Sequence, residues 1–443
     1  MPGTTKILLA FALVLVQVCS LFAGSVSMAP ETAQPALKWR SRVITIALST
    51  SLQRPAPNVK YGSDLLAAVR RSMQVWEDAA AIEFKEVISE KQNVSQPGSA
   101  GDGISLITIA PTAENALLFG KGGEEAAATT RIFYDARGRI SEADIVLNPY
   151  QQFSADGTFG TFDLESTLTH EIGHLLGLEH SAMRSSTMYE NFGKNGLFGL
   201  QSYSHRTLSE PDRSVVRAKY GPSETDGVCC GSVSAKLQFP DGRPASNVEM
   251  WLEDSNTGKV AAQSLTGADG TIEIGGLPYS NYALYSSRRE RLKRTFPVQL
   301  IGTVDVTPSE AAQIVKKLEP GHDDLELKYT GFNGQLTLSQ VPINAGRGYT
   351  VYLGGRNLNP KNLSIKFSSP FLQVTPGSVV SHDYGVELSV VSFEVLAEAG
   401  APVGEYTVFV ESASGGRSAV VGGLSIRAFS NPYSNLVLDT KSY

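Results

Sequence analysis

The segment that decides the fold and the chemistry is HEIGHLLGLEH, which runs from His170 to His180. His170 and His174 are four residues apart, so on an α-helix both imidazoles lie on one face and can reach one metal ion. Gly177 can take a positive φ, which ends the helix and turns the chain toward His180. Zinc favours imidazole nitrogen, and a catalytic zinc keeps one position open for water. We therefore predict a metal site formed by His170, His174 and His180.

Glu171 follows the first histidine and is not needed as a metal ligand. From its position beside the ion, its carboxylate can reach a water at the open coordination position and accept a proton from it. We therefore predict that Glu171 is the general base of a hydrolytic site. Histidines held by ordinary core or surface hydrogen bonds are the alternative, and the combined spacing of three histidines and a glycine disfavours it.

The segment resembles the matrixin branch of the metzincins, which includes the matrix metalloproteinases. Ser181 follows the third histidine as in matrixins, and Thr187-Met188-Tyr189 resembles the methionine turn that lies beneath the zinc in this clan. Met183 is a rival for the turn methionine, but it lies close behind His180. The resemblance covers residues 38–222.

The resemblance implies an α+β metzincin catalytic domain with a twisted mixed sheet and an active-site helix. It also implies a metalloendopeptidase acting on protein or peptide substrates through a zinc-activated water, with Met188 as a structural residue. The substrate would lie along an exposed sheet edge, for which residues 126–130 are a candidate. The cysteine switch of many matrixins is missing, so latency, if present, needs another mechanism. The histidine-rich loop that holds a second zinc is also missing, so we expect one zinc ion.

Calcium is an alternative that the sequence leaves open. Aspartate oxygens are suitable calcium ligands, yet these residues are more often found in turns and helix caps. The candidates are Asp102, Asp135, Asp156 and Asp163.

The flanking sequence predicts an α+β order for this domain. Alternating or continuous apolar runs predict strands, and apolar residues three and four apart predict a helix that starts at Ser63 as N-cap. A final helix opens at Leu208-Ser209-Glu210-Pro211 and ends at Tyr220-Gly221, where glycine suits a C-cap. The predicted strands span residues 43–48, 84–88, 104–110, 130–135 and 143–147.

The N-terminal residues 1–29 read as a signal peptide, with Lys6 before an apolar stretch over residues 7–18 and small residues beyond it. A membrane anchor is the alternative, although the apolar stretch is short for a bilayer span of about 20 residues. No later segment is apolar enough to cross a membrane. We expect a secreted, extracellular protein, with retention at the cell surface or in the periplasm left open.

Beyond Pro222 the sequence becomes a series of short strands separated by turn residues, which predicts two all-β sandwich domains. Residues 229–320 resemble a carboxypeptidase regulatory-like, prealbumin-type domain, through motifs such as Asp241-Gly242-Arg243-Pro244. Residues 325–430 resemble an immunoglobulin-like domain, through Gly404-Glu405-Tyr406. By default we interpret both as spacers, with glycan or cell-wall contact as an alternative.

The remaining features are weaker. The net charge of −6 disfavours nucleic acid as a partner. Adjacent cysteines rarely bridge each other, so we expect Cys229 and Cys230 to be free or paired between molecules. We interpret His205, His322 and His382 as surface or loop histidines, and the basic run over residues 288–294 as a solvated segment.

Two other functions compete with the peptidase. One is a non-catalytic, zinc-containing adhesion or binding protein of the cell surface, which the presence of Glu171 disfavours because a purely structural zinc needs no such carboxylate. The other is a glycan-binding protein in which the β-domains carry the function.

Overall fold

The computed structural model describes residues 36–96, 99–120, 125–190, 193–196, 204–225, 229–288, 296–308, 311–321, 325–385 and 387–427. The predicted signal peptide, His322 and the basic run beyond Arg288 lie outside these ranges. Among the described residues, no helix combines the length and the apolar character needed to cross a membrane.

The first part of the chain is built on a mixed sheet covered by helices. Its elements are β1 (Lys38–Trp39), β2 (Val43–Ser49), α1 (Leu65–Glu77), β3 (Glu83–Ser89), β4 (Leu106–Thr108), α2 (Ala113–Ala116), β5 (Ala128–Tyr134), β6 (Arg139–Leu147), β7 (Phe153–Ser154), β8 (Phe162–Asp163), α3 (Leu164–Leu175) and α4 (Glu210–Tyr220). The main sheet has the order β1-β6-β4-β2-β3, and β5 pairs antiparallel with β6 while the other pairs are parallel. β5 therefore forms an edge.

Helices α1 and α3 pack together over this sheet. The predicted apolar stripe of α1 is buried, from Leu65 through Val69 and Met73 to Trp76. Trp76 also donates its indole N–H to the carbonyl of Thr169 in α3, with 2.9 Å between the atoms. The predicted N-cap Ser63 is wrong by one residue, because the Asp64 carboxylate accepts from Ala67 N and caps the helix. The core thus fixes α3 against α1.

Downstream, the first sandwich packs a four-stranded sheet of order β11-β10-β13-β14 against a three-stranded sheet of order β12-β9-β15. Buried residues of both sheets share one apolar core, for example Val233 and Leu284. Its strands are β9 (Cys229–Gln238), β10 (Glu249–Asp254), β11 (Val260–Leu265), β12 (Thr271–Pro278), β13 (Ser280–Arg288), β14 (Phe296–Val306) and β15 (Ala312–Lys317).

The second sandwich packs a six-stranded sheet, β17-β16-β19-β23-β21 with β22 on β23, against a four-stranded sheet of order β18-β25-β24-β20. Val351 and Tyr406 belong to its shared core. Its strands are β16 (Glu326–Phe332), β17 (Gln335–Thr337), β18 (Val341–Asn344), β19 (Arg347–Arg356), β20 (Leu363–Phe367), β21 (Leu372–Val374), β22 (Val380–His382), β23 (Ser389–Ala397), β24 (Gly404–Ser412) and β25 (Arg417–Arg427). The predicted fold class is confirmed, whereas the domain limits stay predictions.

The cysteine prediction is wrong. Cys229 and Cys230 form a disulfide with each other at the start of β9. The peptide bond between them is cis, and their Cα atoms are 3.1 Å apart.

Candidate metal centre and its surroundings

Helix α3 lies in the interior of the molecule and carries His170 and His174 of the predicted site. Its N-terminus is capped by Asp163, whose Oδ1 accepts from Ser166 N at 2.9 Å and from the guanidinium of Arg206. Every residue of the helix is buried. Because α3 is capped at its N-terminus and buried along its whole length, His170 and His174 have a fixed direction.

The helix ends where the sequence predicts. Gly177 has φ +80°, and a Cβ there would lie 2.5 Å from the carbonyl oxygen of Leu37, so the site requires glycine for both conformation and space. Two carbonyls of the last turn are satisfied by distant groups: Trp39 Nε1 donates to Leu175 O, and the Tyr220 hydroxyl donates to Leu176 O. The turn therefore carries the chain to His180 along a defined path.

The three predicted histidines converge. His174 Nε2 lies 3.1 Å from His170 Nε2 and 3.1 Å from His180 Nε2. His170 and His174 are buried and His180 is half-buried. Among the described residues, these three form the group of metal-ligating side chains whose ligand atoms lie within 4.8 Å of one another.

The other ring nitrogens determine what these Nε2 atoms can do. His170 Nδ1 lies 2.7 Å from Thr187 O, and His174 Nδ1 lies 2.9 Å from Leu178 O. A carbonyl only accepts, so both Nδ1 atoms carry the proton and both Nε2 atoms carry a lone pair. Burial lowers the pKa of all three imidazoles, that of His174 to about 3, so they are neutral at pH 7.

This donor set fits a zinc ion. Lone pairs directed at one another across 3.1 Å repel unless a cation lies between them. Tetrahedral Zn–N bonds of about 2.0–2.1 Å would set ligand nitrogens roughly 3.3–3.4 Å apart, close to the spacing observed here. The neutral, oriented imidazoles are thus suited to hold a transition metal without rearrangement.

Glu171 follows His170 on α3 and is buried like its neighbours. Its carboxylate Oε2 accepts a hydrogen bond from the Thr130 hydroxyl on β5, with 2.5 Å between the oxygens. Burial raises the pKa of this carboxyl to about 7, and the hydrogen bond from Thr130 opposes the shift. The group can therefore exchange a proton near neutral pH.

The predicted methionine turn lies against α3. Met188 is buried, and a Cβ on Gly173 would come 2.2 Å from its sulfur, so glycine between the two helical histidines makes room for it. The backbone closes the turn, since Ser181 N donates to Met188 O at 2.8 Å. The rival Met183 points elsewhere, into an apolar cluster away from the imidazoles.

Asp212 of α4 holds this turn in place. Its Oδ2 accepts from Thr187 N at 2.8 Å and from Ser209 N at 3.1 Å, and Ser186 Oγ lies 2.5 Å from its Oδ1. Ser209 and Asp212 also form a capping box at the start of α4. The spacing of Ser209 and Asp212 was a signal that could have revealed this residue.

Thr130 and Gly173 were missed by sequence reasoning as well. A threonine in a strand gives no sign of the distant carboxylate it contacts, whereas a glycine inside a helix is a general hint of close packing. His205 was interpreted as a surface or loop histidine, and the surface placement is wrong. It is buried, which lowers its pKa to about 4. His382 is half-buried and contacts Ser392 Oγ at 2.7 Å.

The acidic residues considered for calcium occupy turns, caps and ion pairs. Asp163 caps α3, and Asp135 accepts from the backbone N–H groups of Arg137 and Arg139 in a turn. Asp156 pairs with Lys60 at 2.5 Å, and Asp102 pairs with Lys91. The calcium alternative gains no support from these contacts.

Comparison with known proteins finds a family model that matches the part of the chain that contains the three histidines. Residues 38–221 match the family model described as Matrixin. The chain is similar to Metalloendoproteinase 1-MMP of Arabidopsis thaliana, at 28% identity over 158 residues, which cover 34% of this chain and 38% of the relative. It is also 29% identical over 171 residues to the hatching enzyme of Paracentrotus lividus, covering 37% of this chain and 24% of that protein. The alignments thus span less than half of either relative.

Among solved structures, the chain aligns with BcpA, the major pilin subunit of Bacillus cereus, at 13% identity and a TM-score of 0.16, covering 44% of this chain and 69% of the pilin. It also aligns with the RrgB pilus protein of Streptococcus pneumoniae at 10% identity and a TM-score of 0.17, covering 41% and 47%. TM-scores this low establish no shared fold.

Proposed function

We propose, from the match of residues 38–221 to the matrixin family model, that the chain is a secreted zinc metalloendopeptidase that hydrolyses peptide bonds of protein substrates. Matrixins are zinc metalloendopeptidases as a family. One observation carries the proposal for this chain: the Nε2 atoms of three neutral imidazoles converge, and the residue that follows the first histidine on α3 is the buried Glu171. His170, His174 and His180 would hold the ion.

When bound, zinc supplies a Lewis acid that polarises the scissile carbonyl and lowers the pKa of a water molecule. The protein's part in the reaction is proton transfer and orientation. Glu171 accepts the proton of the attacking water at its carboxylate and later delivers it to the leaving amine. Its pKa of about 7 suits both steps, because the carboxyl can take up and release a proton at neutral pH.

Strand β5 provides a place for the substrate backbone. Within the described residues it pairs with β6 alone, so it is an edge strand of the sheet. An extended peptide can add to such an edge by main-chain hydrogen bonds. Thr130 lies on this strand and contacts Glu171, so a peptide bound here would lie beside the general base. The predicted candidate, residues 126–130, overlaps the start of β5.

The competing function is a non-catalytic zinc protein of the cell surface. A structural zinc is commonly closed by four protein ligands, whereas only three side chains of the ligating types gather here among the described residues. The helix that carries two of them also carries the buried Glu171. A buried carboxyl without a chemical role is a cost to the fold, since burial disfavours its ionised form. The retention of such a group beside the histidines favours the peptidase.

The decisive variant is Glu171→Gln, which keeps the shape of the side chain and removes the base. General base catalysis contributes about 10²–10⁴-fold, so cleavage of a denatured protein substrate should fall by roughly that factor. The matched control is Glu165→Gln on the same helix, because Glu165 is paired with Arg71 at 2.7 Å, outside the histidine cluster. The control should cleave normally, and a chelator should stop cleavage by both the wild type and the control. Cleavage by Glu171→Gln at the rate of the wild type would contradict the proposed function.

A further inference from the structure

Met183 lies in an apolar contact made by three parts of the chain. It is fully buried, and it packs with Trp251, Val260 and Val298 of the first sandwich and with Val421 of the second. Met183 itself belongs to the segment 181–188, which links the third histidine to the methionine turn. The side chain therefore joins the metal centre's own loop to both downstream sandwiches.

The second sandwich also contacts this loop through polar and backbone groups. Arg184 Nη2 donates a hydrogen bond to the carbonyl of Lys328 in β16. Gly422 in β25 has φ +61°, and a Cβ there would lie 2.4 Å from Ser185 Oγ and 2.9 Å from Met183 Cγ. The backbone of β25 thus lies directly against the loop, at a distance that only glycine permits.

The first sandwich supports the loop from the other side through α4. A Cβ on Gly276 of β12 would lie 2.0 Å from Ser214 O and 2.8 Å from Ala218 N, so strand and helix backbones are in close contact. Ser214 Oγ donates to Gly275 O at 2.7 Å. Helix α4 carries the Asp212 carboxylate that holds Thr187 N. Displacing the sandwich would therefore disturb the support of the turn.

Loop 181–188 determines the position of two imidazoles. His180 precedes it directly, and its first residue, Ser181, bonds to Met188 O at its far end. Thr187 O accepts a hydrogen bond from His170 Nδ1. A shift of the loop would therefore move His180, which is joined to it through the chain. The same shift would break the hydrogen bond that orients His170.

We propose that the two sandwiches are part of the catalytic unit, and that Met183 is the positioning residue through which they fix loop 181–188. This assignment differs from the expected spacer role. The expected effect on zinc binding depends only on the geometry of the three histidines. The expected effect on peptide cleavage rests on the proposed function.

Two substitutions in the full-length chain test the proposal from opposite sides of the contact. Gly422→Ala introduces a methyl group between β25 and the loop, and Met183→Ala removes the side chain from the cluster. The control for the first is Gly415→Ala in the turn between β24 and β25, because Gly415 has φ +87° and nothing within 4 Å of its would-be Cβ. The control for the second is Met183→Leu, which keeps an apolar side chain of similar volume.

The primary measurement is the zinc dissociation constant, obtained by competition with a chromophoric chelator. Outer contacts that orient metal ligands are worth about 10–100-fold in metal affinity or activity. We expect Gly422→Ala and Met183→Ala to weaken zinc binding by about tenfold and to lower kcat, with little change in KM. Gly415→Ala and Met183→Leu should bind and cleave like the wild type.

The proposal would be overturned if both test variants had the zinc affinity and kcat of the wild type while circular dichroism showed intact sandwiches. If Gly422→Ala fails to fold, the comparison of Met183→Ala with Met183→Leu decides. A further outcome is that the wild type cleaves no substrate while the two test variants still bind zinc more weakly than it does. That result would support the positioning role and contradict the peptidase function, so the two failures are distinguishable.

Discussion

The hydroxyl of Thr130 on the edge strand β5 lies 2.5 Å from the carboxylate Oε2 of Glu171 on helix α3, and 3.1 Å from the carbonyl oxygen of the same glutamate. One side chain thus joins the strand that would bind the substrate to the residue that would move the proton. The carboxylate is buried, so its direction depends on this contact rather than on solvent.

Thr130→Val should lower kcat while leaving zinc content unchanged. Valine has nearly the shape of threonine but no hydroxyl, so a buried carboxylate loses a hydrogen bond worth about 1.5–3 kcal/mol. If that loss falls on the transition state, kcat drops roughly 10–100-fold. Steady-state kinetics on a peptide substrate measure it, and Thr130→Ser is the control that restores the hydroxyl. Equal kcat in Thr130→Val and wild type would show that the hydrogen bond has no part in the reaction.

Asp212→Ala should destabilise the protein strongly. The Asp212 carboxylate is buried and accepts from Thr187 N and Ser209 N, and its removal leaves these donors without an acceptor, at about 1–3 kcal/mol each. Asp156→Ala is the matched control, because that aspartate is exposed and its ion pair with Lys60 is screened by water and worth about 0–1 kcal/mol. Urea unfolding measures both. Similar losses in the two variants would contradict the assigned role of Asp212.

Glu253→Gln should remove part of the pH dependence of stability. Burial raises the pKa of Glu253 from 4.5 to about 7, so the folded state binds its proton more tightly than the unfolded state. Its contribution is fully present below pH 4.5 and is lost as pH rises through 7. Relative to wild type, Glu253→Gln should therefore gain stability between pH 5 and pH 8, on the order of 2–3 kcal/mol.

Urea unfolding at the two pH values measures the change. Glutamine keeps an oxygen that can accept from Trp251 Nε1, which lies 2.8 Å from Glu253 Oε1, so packing is preserved. A stability difference between variant and wild type that is constant from pH 5 to pH 8 would show that Glu253 titrates normally.

Removal of the metal should destabilise the matrixin domain reversibly. Without a cation, the Nε2 lone pairs of His170, His174 and His180 repel one another in a buried pocket. An ion present at 100 times its Kd stabilises the folded state by about 2.7 kcal/mol. Chelator treatment followed by thermal unfolding should lower Tm, and added zinc should restore it. An unchanged Tm would indicate that no metal contributes to the fold.

Local sequence signals predicted much of the domain. The HEIGHLLGLEH segment gave the helix, its end at Gly177 and the convergence of the histidines, because spacing on a helix and a glycine φ are local properties. The end of α4 at Gly221 was predicted for the same reason. The two sandwiches were predicted from regularly spaced short strands, but this spacing contains no information on how the sandwiches pack against the metal centre.

The rest depended on contacts between distant residues. Thr130 contacts Glu171 across 41 positions, and Gly422 contacts Ser185 across more than 200, so neither residue type reveals its neighbour. The burial of His205 was not predicted, because it lies in a short 3₁₀ turn that leaves no periodic pattern in the sequence. Met183 was weighed only as a turn methionine, since its packing partners lie in two other parts of the chain.

The metal content of purified protein tests the central claim most directly. Mass spectrometry or plasma emission should find one zinc per chain in the wild type, little in His174→Ala, and one in His382→Ala, whose imidazole contacts Ser392 in the second sandwich. The account would be contradicted if wild-type protein, purified without chelators, held no stoichiometric transition metal even after incubation with zinc.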